Sequence, residues 1–292
     1  MSASDAQLLA AIKRHGSQRK AAAALGLHSR TVERRLARIA DEAVQSKLLV
    51  IDIETAPALA WVWGLFKQNI GISQVEKPGR VMCFAARWHG SDETVFYSER
   101  GRGGAERMVR AAHRLMLEAD AIVGWNSQRF DCRWFNTEFK KARLRRPAGY
   151  KHVDLMRSVK KYEQHLSYKL DYRARFLGLD GKVQTGGFEL WRDCMAGDRE
   201  AWKLMEEYNR HDTNLTDAVL ADMRQGGWVH GLPNLSVYGG DVCPDCGSEH
   251  LKADGYYETR TRLYQQWVCL DCGTPSHSAK SEPGAAKLRV VA

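Results

Sequence analysis

From residue 48 onward, apolar runs with strand character alternate with segments of helical period. The strand candidates are KLLVIDIE (47–54), RVMCFAARWHG (80–90), ETVFYSE (93–99), AIVGWN (121–126) and the short HVDLM (152–156). Helical spacing predicts helices over about 104–118, 131–142, 167–177 and 199–224. Such alternation predicts an α/β core over 48–225. Ahead of it, AQLLAAIKRHG runs to Gly16, SQRKAAAALG runs from a capping Ser17 to Gly26, and HSRTVERRLARIA carries Val32, Leu36 and Ile39 at i, i+4, i+7. Residues 1–42 therefore read as short helices. Beyond the core, LPNLSVYGGD (232–241) reads as a linker, 241–275 as a cysteine module and 276–292 as a mobile tail.

Length and charge refine this picture. A chain of 292 residues suffices for one well-packed core with small appendages. No run of 18 apolar residues occurs and the start lacks a signal-peptide layout, so the expectation is a protein of the reducing cytoplasm with no membrane partner. The formal net charge is +9, and residues 1–47 hold nine Lys/Arg against four acids. A basic excess concentrated there suggests nucleic acid as partner.

The helix, tight turn and helix around Gly26 resemble helix-turn-helix DNA-binding domains over about 25 residues, with Ala22, Gly26 and Val32 at the pattern positions. The resemblance puts Ser29, Arg30, Thr31, Arg34 and Arg35 on the exposed side of a recognition helix. Arg30 and Arg34, one turn apart, would reach phosphates or guanine edges. A small helical bundle with a solvated basic face is the alternative.

Seven cysteines are present. Cys83, Cys132 and Cys194 lie scattered among apolar neighbours, as reduced residues do. Cys243, Cys246, Cys269 and Cys272 form CPDCG and CLDCG, with 22 residues between the pairs. Two CxxC turns supply the four thiolates of one structural Zn²⁺, and the pattern resembles zinc-ribbon knuckles around a hairpin. The mix of Tyr256, Tyr257, Arg260, Arg262, Tyr264 and Trp267 suits nucleic-acid contact or the packing of a small fold.

Candidate chemistry lies in the core. In LLVIDIET (48–55), Asp52 and Glu54 are i and i+2 on a strand, so they share a face. Two such anions repel and need a neutralising partner. GWNSQRFD (124–131) brings Asp131 at an apparent helix start, and YNRHD (208–212) puts Tyr208 and Asp212 on one helix face. Four carboxylates with one tyrosine suit two Mg²⁺ or Mn²⁺ ions.

The order DIET, NxxxFD, YxxxD resembles the DEDD (DnaQ-like) 3′–5′ exonuclease superfamily, tyrosine subtype, over roughly 48–222. The histidine subtype would want His at 207, where this chain has Glu207, and His211 is off that position. The resemblance implies a ribonuclease H-like fold: a mixed central sheet flanked by helices, here with the helix-turn-helix and zinc ribbon appended. It implies that Asp52, Glu54, Asp131 and Asp212 hold the two ions and that Tyr208 orients the attacking water. Trp125, Asn126 and Phe130 would flank the terminal nucleotide. Asp154 reads as a cap or support. Trp61, Trp63 and Phe66 are candidates for stacking on unpaired bases or for packing. The implied activity is release of nucleoside 5′-monophosphates from DNA 3′ ends, single-stranded or frayed, with replication or recombination proteins as further partners. Such a compact fusion suits phage or mobile-element metabolism. The rival readings are a DNA-binding regulator with a secondary or inactive nuclease core, and an RNA exonuclease or structure-specific endonuclease on the same fold.

Overall fold

The computed structural model describes residues 18–32, 46–181 and 183–284, together with Leu8 and Ala11. Its centre is a five-stranded mixed sheet ordered β5-β4-β1-β6-β7. These strands are β1 (Leu48–Ala56), β4 (Arg80–Trp88), β5 (Thr94–Ser98), β6 (Ala121–Gly124) and β7 (Lys151–Asp154). β1 runs antiparallel to β4 and parallel to β6, and β7 continues the parallel half. A small hairpin, β2 (Leu59–Ala60) with β3 (Val75–Lys77), stands between β1 and β4.

Strand alternation sorts β1 onto two cores. Leu49, Ile51 and Ile53 join Phe84, Met108, Phe135 and Phe139 on the face covered by α2 (Gly104–Glu118) and α3 (Asp131–Lys141). Leu48 and Val50 face the other way, toward Val153, Leu155, Val159, Leu215 and Val219. That face carries α4 (Leu155–Tyr162), α5 (Leu170–Phe176) and the 26-residue α7 (Arg199–Arg224), with α6 (Phe188–Met195) beside it. The same alternation assigns Asp52 and Glu54 to the α7 side.

The five predicted strands and four predicted helices all have counterparts. The chain differs from expectation after β7, where α4 follows at once. Asp154 caps it, accepting from Arg157 N at 3.2 Å, and Leu155, Ser158 and Val159 turn inward at i, i+3, i+4. A cap that is itself the last strand residue conceals the helix start in sequence.

α7 is held to the sheet by a polar stripe at i, i+4, i+8. Asn209 Nδ2 donates to Asp52, Thr213 Oγ1 to the Ala85 carbonyl at 3.4 Å, and Asp217 pairs with Arg87 (3.1 Å) and His89 (2.6 Å). Hydrogen bonds and ion pairs at four-residue intervals set the helix's rotation and register as apolar packing alone does not.

At the N-terminal end, α1 (Gln18–Ala24) stops at Gly26, whose φ is +65°, and residues 29–32 are helical again. The Leu27 N–H donates to Ala22 O at 2.9 Å, closing the αL turn that glycine permits. Leu8, Ala22 and Val32 form a small buried cluster. Ser29 and Arg30 are exposed and Thr31 half-buried, whereas Arg34, Arg35 and residues 285–292 lie outside the described residues.

Candidate active site and cysteine centre

Three chain segments meet at the end of β1. Asp131, first residue of α3 and only 4% exposed, accepts the Ile53 N–H at 3.2 Å. Ile53 is the residue between Asp52 and Glu54, so α3 is tied to the DIET strand at its acidic pair. From the α7 side, Asn209 Nδ2 donates to Asp52 Oδ2 at 2.8 Å and to the Asp52 carbonyl at 3.3 Å. Tyr208 and Asp212 flank Asn209 on α7. Asp212 is 2% exposed, and the Tyr208 ring packs edge-on against Trp191 of α6 at 6.1 Å.

A register shift in the β1–β4 pairing falls between Glu54 and Thr55. Cys83 pairs with Glu54, and Met82 is the extra residue. Bulges of this kind bend a strand and re-aim its side chains.

Burial and neighbouring carboxylates act together on the titratable groups at the end of β1. Burial pushes Asp131 up to about 7, against hydrogen bonds from its own N–H and that of Ile53, and the Asp154 charge adds to the rise. Burial pushes the Cys83 thiol well above its usual range, and the charges of Glu54 and Asp52 raise it further.

The turn carrying NSQRFD is set by close packing. An added Cβ on Gly124 would stand 2.6 Å from Ser127 Cβ and 3.1 Å from the Ile51 carbonyl, so only glycine fits. Asn126 follows with φ +63° and donates its N–H to Asp154 Oδ1 at 3.1 Å. Asp154 therefore both caps α4 and holds this turn. Its Oδ2 is buried with no hydrogen-bond partner among the described residues.

Not every residue singled out in sequence points the same way. Trp125 packs against the second core, and its Nε1 donates to Tyr168 O at 3.0 Å. Phe130 is 43% exposed and sits edge-on to Trp134. His211 Nε2 donates to the Gly181 carbonyl at 2.8 Å, which ties it to the chain beyond α5. Trp61, Trp63, Leu65 and Phe66 are largely exposed in the β2–β3 hairpin loop, Trp63 completely so. Asn209 and Gly124 escaped sequence reading. The signal for Asn209 was its place in the polar series Asn209, Thr213, Asp217 on a helix flank that should be apolar.

The donor set at β1 is all oxygen, the chemistry Mg²⁺ and Mn²⁺ prefer. Burial, with the nearby Asp154, Glu54 and Asp52 charges adding to it, raises Asp131 and Cys83, as expected where acids are gathered. Among the described residues, the four cysteines bring their ligand atoms mutually within 4.8 Å.

The cysteine centre has near two-fold symmetry. Cys243 and Cys269 each accept from a glycine four residues on, Gly247 and Gly273, at 3.0 Å, and both glycines have φ above +70°. The Cys243–Cys272 and Cys246–Cys269 sulfurs are 3.6 Å apart. A tetrahedral Zn–S bond of about 2.3 Å implies sulfurs about 3.8 Å apart, so the four thiols fit zinc. Cys269 ends the middle strand of a three-stranded sheet, β8 (Leu251–Glu258), β9 (Leu263–Cys269) and β10 (Pro275–His277), and the other three cysteines lie outside its strands. The unit is seated on the end of α7. Gly226 N donates to Cys272 O at 2.7 Å, and Arg224 pairs with Asp245 at 3.1 Å.

The RNase_H superfamily model (RNase_H_2) matches residues 71–223, and the chain belongs to that superfamily. The match begins after β1, which nevertheless lies at the middle of the sheet. A family B DNA polymerase from the hyperthermophilic archaeon Pyrobaculum calidifontis is similar in structure, at 21% identity and a TM-score of 0.46. The similarity covers 66% of this chain and 27% of the polymerase, so the chain spans about a quarter of that protein's length. No curated protein matches the chain. Among the described residues no helix is long and apolar enough to cross a membrane.

Proposed function

We propose that this chain is a metal-dependent 3′–5′ exonuclease of the tyrosine DEDD subtype, acting on single-stranded or frayed DNA ends. The observation that carries the reading is the tie of Asp131 to the Ile53 N–H, with Asn209 holding Asp52 from the helix of Tyr208 and Asp212. These bonds join the elements that carry three motifs distant in sequence to one strand, which supports the reading.

In this reading Asp52, Glu54, Asp131 and Asp212 would hold two Mg²⁺ or Mn²⁺ ions. Bound there, the ions supply an activated water and stabilise the leaving 3′ oxygen. Tyr208 orients that water through its hydroxyl, its ring steadied by Trp191. Asn126 and Phe130 border the terminal nucleotide. Trp61, Trp63 and Phe66 offer exposed rings for unpaired bases to stack on. Ser29, Arg30, Thr31, Arg34 and Arg35 engage DNA through the helix-turn-helix, and the cysteine centre holds one structural Zn²⁺.

A strand labelled at its 5′ end, incubated with Mg²⁺ or without added divalent ion, tests this. A metal-dependent ladder shortening from the 3′ end is expected, absent in Asp52→Asn and Asp212→Asn. Tyr208→Phe should slow it roughly 10²–10⁴-fold. Internal cuts would make the chain an endonuclease. Hydrolysis with neither Mg²⁺ nor Mn²⁺ would leave only a binding role. RNA strands in parallel decide the sugar preference.

A further inference from the structure

Between the Asn126 turn and α4, a cleft of about 400 Å³ is lined by Asn126, Arg129, Met156, Arg157, Lys160 and Lys161. Four of these six residues are cations and none is an acid. All four are exposed, and none belongs to an ion pair among the described residues. Some surface cations elsewhere are neutralised, as Arg80 is by Glu99, Arg110 by Glu106 and Lys203 by Glu200; the cleft differs in gathering four cations with no acid among its lining.

This grouping costs the fold something. Arg157, Lys160 and Lys161 stand at i, i+3 and i+4 on α4, where like charges destabilise a helix. The helix dipole favours cations in the last turn and so accounts for Lys160 and Lys161. It does not account for Arg157 in the first turn, where the dipole is positive, nor for Arg129 outside the helix. Burial, then the charges of Lys161 and Arg157, hold the His230 imidazole below its usual range, as a positive field would.

The cleft also has direction. At one end Asn126 is fixed by Asp154, in the turn that leads to Asp131. From the lining residue Lys161, whose Nζ lies 5.0 Å from the ring centroid of exposed Tyr162, contact continues to Trp228, which Tyr162 meets edge-on at 6.1 Å. Trp228 lies beside Gly226, whose N–H is bonded to Cys272 of the cysteine centre. Cations followed by exposed aromatics are the pattern on which single strands lie, phosphates on the cations and bases on the rings.

We propose that the Arg129–Arg157–Lys160–Lys161 cleft is a phosphate-backbone track, guiding a single strand between the carboxylate pocket and the cysteine module. The inference deepens the exonuclease reading, and its direction toward the carboxylates rests on that reading. The test is binding, measured in the full chain with Asp52→Asn and no added divalent ion, so it is independent of hydrolysis. Fluorescent dT and rU twelve-mers are titrated between 50 and 200 mM salt. Arg129→Gln/Lys160→Gln/Lys161→Gln is compared with Arg107→Gln/Arg114→Gln/Lys140→Gln, which removes equal charge from exposed sites on α2 and α3.

The cleft variant should lose at least tenfold in affinity. Its log K against log salt slope should shrink by about 2, at roughly 0.7 per phosphate contact. The control should stay within twofold of the parent. Equal losses in both variants, an unchanged cleft variant, or a loss with unaltered slope would each overturn the track. A loss confined to dT or to rU identifies which strand it carries. If the parent chain proves unable to hydrolyse any strand, the exonuclease reading fails while this binding result stands.

Discussion

Asn209 donates one amide to both the side chain and the backbone carbonyl of Asp52, at 2.8 and 3.3 Å. The two bonds fix the carboxylate's rotamer from a helix 157 residues away in sequence. Asn209 is fully buried and touches no solvent, so it acts by positioning Asp52. Asn209→Ala should lower kcat about 10–100-fold, the usual effect of losing a residue that orients a metal ligand. Calorimetric Mn²⁺ affinity should fall with it. Normal Mn²⁺ affinity with unchanged kcat would remove Asn209 from the site.

Gly124→Ala is expected to displace the Asn126–Asp131 turn, because its Cβ would come 2.6 Å from Ser127 Cβ. Overpacking of this kind costs about 1–3 kcal/mol. Thermal denaturation should show a lowered Tm and turnover should drop. Adding Ser127→Gly removes the nearest clashing atom and should restore part of both. A double variant no better than the single one would place the fault at the Ile51 carbonyl.

The raised Asp131 pKa sets a stability profile for protein without divalent ion. Its pKa is about 7 folded and near 3.9 unfolded, so between these values the folded state binds more protons. Stability should therefore fall as pH rises from about 4 to 7, by an amount on the order of a few kcal/mol. Asp131→Asn should flatten that slope in urea titrations at successive pH values. Added Mg²⁺ should flatten it too, since the ion favours the carboxylate. A slope unaltered by Asp131→Asn would assign the effect to another group.

Zinc removal should be felt beyond the cysteine module. Gly226 and Arg224 bind the knuckle backbone directly from the end of α7. The expected metal content is one zinc per chain, lowered by Cys269→Ser. Chelation should reduce Tm by roughly 2–4 °C for each kcal/mol lost. Hydrogen exchange should rise at Met223–Trp228, and exchange confined to 243–277 would show the module to be energetically separate.

Much of the fold was legible from pattern. Alternation in 47–54 and 80–90 and helical period in 104–118 and 199–224 are local properties, and local steric preference with burial decides them. The DIET, NxxxFD and YxxxD acids stood out because charges at the end of apolar strands or inside packed helices carry an energetic cost that needs a reason. α4 was hidden because Asp154 belongs to a strand and a cap at once. Asn209 was hidden because an asparagine on a polar-rich helix looks solvated until the neighbouring strand is known.

The sequence by itself determined which residues could do chemistry and which elements would carry them, through short-range backbone preference and the two periods of helix and strand. Only the tertiary structure decided that α7 sits with Asn209 against Asp52, that Trp125 turns to the core, and that Arg129 joins the α4 cations around one cleft. Those are contacts between segments far apart along the chain. Their geometry follows from sheet order, helix rotation and hydrogen bonds across the core, none of which a local pattern encodes.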